Sequence, residues 1–100
     1  MNVKIHSVKF DADSKLLGFI EEKVNKLELF YDDILSAEVF LRLEKDTQER
    51  ENKVVEIKLE IAKNPLFSKK QSKTFEEATD QATEALRKQL VKHKEKVKKI

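Results

Sequence analysis

One hundred residues, 39% apolar and 40% charged, describe a single domain with a modest core; one glycine, one proline and no cysteine exclude low-complexity linkers, disulfide frameworks, zinc ribbons and thiol catalysis. No apolar run approaches the roughly 18 residues of a membrane span, and the N-terminus MNVKIHSVKF lacks the apolar region of a secretory signal, so a soluble, cytoplasmic protein with no membrane partner is expected. The net charge of +2 conceals an asymmetry: residues 1–62 hold ten Lys/Arg against fourteen Asp/Glu, a net of −4, and residues 63–100 hold eleven against five, a net of +6.

Residues 2–10 read as a strand. Val3 and Ile5 alternate with Lys4 and His6, then the phase slips to Val8 and Phe10, which predicts a bulge near Ser7. Asp13 or Ser14 caps a helix expected to run to about Tyr31. Its apolar stripe is Leu16, Ile20, Val24 and Leu27, widened by Leu17 and Tyr31 and flanked by Phe19 and Phe30. Lys15, Lys23 and Lys26 give this helix a basic side. Gly18 faces away from the stripe, at a cost of about 1 kcal/mol relative to alanine.

After the Asp32-Asp33 turn, Ala37, Val39, Leu41 and Leu43 alternate with Glu38, Phe40, Arg42 and Glu44, the pattern of a strand with one buried and one wet face. Residues 45–52, KDTQEREN, form a polar connection, expected to be mobile. Residues 53–63 are a third strand, with Val55, Ile57, Leu59 and Ile61 on one face. Asn64-Pro65 signals a turn, and residues 66–73 make a weaker, polar fourth strand.

Thr74 opens the last helix with the T-x-x-E capping pattern to Glu77. Phe75, Ala78, Ala82, Ala85/Leu86, Gln89/Leu90, His93 and Val97 trace its stripe. Acidic residues fill the early turns and basic ones the late turns, as the helix dipole favours. From Leu86 onward seven cations face one acid, Glu95, which is more charge than dipole matching requires. The order β-α-β-β-β-α predicts an α+β two-layer sandwich: a four-stranded sheet, its last three strands antiparallel, with both helices on one face.

Catalysis finds little support. His6 and His93 have no carboxylate or histidine neighbours at metal-ligand spacing, and the single glycine rules out a phosphate loop or a nucleophile elbow. No enzyme activity, cofactor, metal or small-molecule substrate is expected. Binding fits better. The late cations flank the stripe, with Lys88, Lys92 and Lys99 on one side and Arg87, Lys94 and Lys98 on the other. A solvated helix also shows this distribution. Lys69, Lys70 and Lys73 upstream, with the basic side of the first helix, extend it toward a continuous positive surface. Such spacing suits phosphate oxygens. With no aromatic triplet among the lysines, recognition of structured RNA by shape is favoured over base stacking.

The run Lys88-Gln89-Leu90-Val91-Lys92-His93-Lys94-Glu95-Lys96 resembles the RQL-x-KHK-x-K tail of the short ribosome hibernation promoting factors, also called ribosome-associated inhibitor or sigma-54 modulation proteins. Lysine stands in place of the first arginine. Phe75 to Asp80 resembles that family's Y-x-A-I-D helix start, and Lys26-Leu27-Glu28 with Phe30-Tyr31 its K-L-E-plus-aromatic ending. A Lys-Leu pair typical of the family appears here as Ala85-Leu86. The resemblance implies a fold like a double-stranded-RNA-binding domain. It also implies binding to 16S rRNA of the small (30S) ribosomal subunit near the decoding centre, with steric exclusion of messenger and transfer RNA. By position it makes Lys23, Lys26, Arg87, Lys88, Lys92 and Lys94 the rRNA contacts, with Lys69, Lys70 and Lys73 added from charge. The dimerising second domain of long family members is not expected, so ribosome pairing would need other factors or direct contacts. Two other readings stay open: a protein-interaction module whose basic C-terminal helix docks an acidic partner, and a general structured-RNA-binding domain.

Overall fold

The computed structural model describes residues 1–44 and 52–98, with side chains to residue 96. Most of the 45–52 connection, the stripe position of the Val97 side chain and the flank positions of Lys98 and Lys99 therefore lie outside what is described. The elements run β1 (Asn2–Ser7), α1 (Ser14–Asn25), a 3₁₀ turn (Lys26–Leu29), β2 (Ile34–Leu43), β3 (Lys53–Ile61), β4 (Leu66–Ser72) and α2 (Phe75–Lys98). The sheet order is β1-β2-β3-β4. β1 lies parallel to β2, while β2, β3 and β4 are antiparallel. A parallel pair requires a crossover, which α1 provides; β2, β3 and β4 are consecutive in the chain and pair in that order.

Alternation gives the sheet one covered and one open face. Val3 and Ile5 sit beside Ala37 and Val39. Ala37, Val39 and Leu41 oppose Leu59, Ile57 and Val55. These residues form one apolar cluster with Ile20, Val24 and Leu27 from α1 and its 3₁₀ extension, and with Phe75, Ala78, Ala82, Leu86 and Leu90 from α2. Both helices thus cover the same face, as the single-faced strands require.

Two local expectations change, and two others are made definite. The phase slip in β1 is not a bulge. The strand stops at Ser7, and Lys9 turns the chain with φ at 65°, so Phe10 re-enters the core stacked on Phe75 at 5.1 Å between ring centroids. The register shift lies instead in β2, between Ile34 and Ser36. The first helix is α-helical only to Asn25 and then tightens into the 3₁₀ turn. At its start Asp13 is the cap, its carboxylate accepting from the Leu16 N–H at 2.8 Å. Gly18 faces open space with an ordinary negative φ, so nothing in the structure demands glycine there.

Candidate nucleic-acid interface

α2 positions the basic tail, and its start is tied down first. Thr74 Oγ1 accepts from the Glu77 N–H at 3.0 Å, completing one half of the expected capping pattern. The Glu77 carboxylate accepts from the Ser72 hydroxyl at 2.7 Å, which joins the helix start to the end of β4. The small early stripe, Ala78 and Ala82, is fully buried against the sheet, as are Leu86 and Leu90 further along. Thr79 and Thr83 are buried too, although their polarity kept them out of the expected stripe. Each hydroxyl donates back one turn, Thr79 to the Phe75 carbonyl at 2.7 Å and Thr83 to the Thr79 carbonyl at 2.9 Å, so burial leaves no donor unpaired. Further on, Gln89 donates to the Phe67 carbonyl of β4 at 3.1 Å. His93 meets Tyr31 edge-on at 5.1 Å. These contacts hold the late turns against the body, so the cations are displayed from a fixed rod; its 24 residues span about 36 Å at 1.5 Å per residue.

The rod has two charged flanks. On the α1 side, Lys23, Lys26, Leu27 and Phe30 face Thr83, Glu84 and Arg87 across a groove. Its cations are paired: Lys23 with Asp80 at 3.1 Å, Lys26 with Glu22 at 3.6 Å, and Arg87 with Glu84, Nε to Oε2 at 2.9 Å. Arg87 also lies 5.6 Å above the Phe30 ring, and Lys23 lies 5.5 Å above Phe19. The hydrogen bond from Arg87 holds the Glu84 carboxyl below its ordinary value and raises the guanidinium in return. The pair therefore persists at neutral pH and is lost only in acid, as pH falls through the lowered pKa of Glu84. Further along this flank, Lys94 and Glu95 border an apolar trough of Leu29, Phe30 and Val91.

On the β4 side, Lys92, His93, Lys96 and Gln89 border a cleft closed by Asn64 and Leu66. Lys88 lies one turn earlier on the same flank. Lys88, Lys92, Lys94 and Lys96 are all exposed, and among the described residues none of them forms an ion pair.

The nine expected contact residues therefore divide. Lys23, Lys26, Arg87 and Lys94 gather on the α1 flank. Lys88 and Lys92 sit on the β4 flank. Lys70 lies opposite Val55, on the helix-covered side of the edge strand. Lys69 points the other way, to the open face, 3.9 Å from Glu56, which Arg42 also engages. Lys73 is exposed in the turn before α2. The positive surface is thus divided by the helix and by the edge strand. Sequence reasoning passed over Lys96 and Asn64; the four-residue spacing of Lys92 and Lys96 was the available signal for the first, while the second required the tertiary fold. His6 stacks on Phe40 at 4.8 Å and bonds Glu38 at 2.9 Å, a surface role. Among the described residues, no three histidines, cysteines or carboxylates gather as a metal site, and no helix is long and apolar enough to cross a membrane.

The family profile described as sigma 54 modulation protein / S30EA ribosomal protein matches residues 3–98. The chain belongs to this family. A relative from Azotobacter vinelandii, a ribosome hibernation promoting factor, is 30% identical over 96 residues, covering 96% of this chain and 85% of its own length. A ribosome hibernation promotion factor from Bacillus subtilis is 32% identical over 97 residues, and here the chain spans only 50% of the relative. Among solved structures, a ribosomal subunit interface protein from Coxiella burnetii superposes with a TM-score of 0.83 at 18% identity, covering 94% of this chain and 98% of that one. The N-terminal domain of Protein Y from Thermus thermophilus gives 0.79 at 20%, covering 93% and 99%. At such identities the two structures establish the shared sheet-and-helix architecture of this S30EA family member.

Proposed function

We propose that this chain is a ribosome hibernation factor that binds the small ribosomal subunit, contacts 16S rRNA near the decoding centre, and inhibits translation by occupying the path of messenger and transfer RNA. Family membership and the names of the two sequence relatives support a ribosome-directed role. The observation that carries the RNA contact is the late half of α2, where four exposed ammonium groups, none in a close ion pair among the described residues, are mounted on a helix anchored by Leu86 and Leu90. Cations fixed on a rod gain affinity from phosphate contact and counterion release. The action is occlusion: a folded body seated where RNA must pass needs no reaction.

The test is sedimentation with purified small subunits. The wild-type chain is expected to travel with them and to compete with messenger or transfer RNA. The triple replacement Lys88→Glu, Lys92→Glu and Lys94→Glu should retain the fold, because all three side chains are exposed, and should lose binding. Undiminished co-sedimentation of the folded triple variant would refute the site. The trough of Leu29, Phe30 and Val91 favours a second reading, docking of a protein partner, and salt-insensitive association would support that instead.

A further inference from the structure

We propose that the outer edge of β1 is a docking site for a protein partner, which adds an extended segment to the sheet. The segment carries apolar residues on its helix-facing side and a carboxylate on its open side. This interaction does not depend on the RNA-binding reading above, since β1 and β4 are opposite edges of the sheet.

The two edges are finished differently. α2 packs along β4, and the Phe67 carbonyl there accepts from the Gln89 amide at 3.1 Å. Among the described residues, no strand lies beyond β1. The direction of its backbone groups follows from one hydrogen bond. The Val8 N–H donates to the Leu41 carbonyl at 2.9 Å, and Ser7 is in register with Leu41. Along a strand, alternate residues turn both backbone groups toward the same neighbour. Lys4 and His6 therefore bond to β2, whereas the N–H and C=O of Val3, Ile5 and Ser7 face outward. They form donor–acceptor pairs about 6.6 Å apart, twice the rise per residue, and an extended peptide pairs with such a template.

The side chains along the edge define what fits. Val3 and Ile5 pack against the core yet stay partly exposed, although their neighbours in register, Ala37 and Val39, are buried. Apolar residues on an added strand complete that layer. Lys4 lies on the open face, at a notch of about 280 Å³ that it shares with Asn2, Ser36, Glu38, Lys58 and Glu60. Both acids of the notch are engaged, Glu38 with His6 at 2.9 Å and Glu60 with Lys58 at 3.5 Å. Lys4 is exposed and forms no close ion pair among the described residues. A carboxylate on the incoming strand meets this unengaged ammonium, and opposite charges across neighbouring strands favour pairing. A second copy of this chain does not supply that carboxylate, because neither edge strand, NVKIHS or LFSKKQS, contains an acid.

The test titrates the isotope-labelled chain with two synthetic peptides, acetyl-GTVEVTG-amide and acetyl-GTVKVTG-amide, and follows backbone amides by nuclear magnetic resonance. The acidic peptide should shift the amides of Val3, Ile5 and Ser7 saturably and slow their exchange with solvent. It should bind about two- to tenfold more tightly than the basic peptide, the difference expected from one cross-strand charge pair. Lys4→Glu, at an exposed position that leaves the fold intact, should reverse that order. No saturable shift at these amides with millimolar peptide, equal affinities of the two peptides for the wild type, or shifts centred on β4 would overturn the proposal. Protection of the same amides that grows with chain concentration in the absence of peptide would overturn the choice of partner in favour of a second copy.

Discussion

The two sides of α2 carry similar numbers of cations and differ in the company those cations keep. On the α1 side Lys23, Lys26 and Arg87 close ion pairs with carboxylates from α1 and from the early turns of α2 itself, while Lys94, further along, stands outside those pairs. On the β4 side the lysines project beside a polar edge strand and a turn, and no acid of the cleft answers them. Counting lysines along a sequence treats both sides alike. The difference arises because α1 packs against α2 and brings its own acids, whereas β4 contributes serine and lysine at the matching positions. Exposed ion pairs contribute little to stability, about 0.2–1 kcal/mol each, and a cation held in one must leave its carboxylate to meet a polyanion.

Changes to the shared support should have the largest effect. Leu86 is fully buried between the flanks, and Leu86→Ala is expected to destabilise the fold by about 2–5 kcal/mol, read by chemical denaturation. That loss should weaken both flanks together. A variant that kept full stability would mean α2 is not anchored as described. Next comes the charge replacement already set out, the Lys88, Lys92 and Lys94 reversal, which should abolish subunit binding. A smaller effect is expected from unmasking the α1 groove. Asp80→Asn with Glu84→Gln releases Lys23 and Arg87 from their partners, and affinity for small subunits at low salt should rise about two- to tenfold, in proportion to the modest worth of exposed pairs. A fall in affinity would show that those carboxylates assist binding.

Much of the fold could be read from residue order, because period-two and helical apolar patterns are direct consequences of burial on one face. Ala37 through Leu41, Val55 through Ile61, and the stripe of Ala82, Leu86 and Leu90 all lie where alternation and helical spacing put them. Three things escaped. The parallel placement of β1 at the sheet edge is a pairing choice with no local signature. The turn at Lys9 imitates a bulge, since either shifts apolar phase by one residue. Thr79 and Thr83 are buried because their hydroxyls bond within the helix, which a polar-or-apolar alphabet does not register. For the interface, sequence spacing identified the two flanks of α2. It did not reveal that Lys69 and Lys70 face opposite sides of the sheet, or which cations would find acids after folding. Those are properties of packing between elements distant in the chain.

Because the chain contains no cysteine, a single introduced cysteine can carry a tethered hydroxyl-radical source without background. Glu95 is exposed on α2, and Glu60 is exposed on the open face of the sheet, so Glu95→Cys and Glu60→Cys probe opposite sides of the molecule. On small subunits, the account predicts strong 16S rRNA cleavage around the decoding centre from position 95 and weak cleavage from position 60. Cleavage from position 60 with none from position 95, or no 16S rRNA cleavage from either, would contradict it.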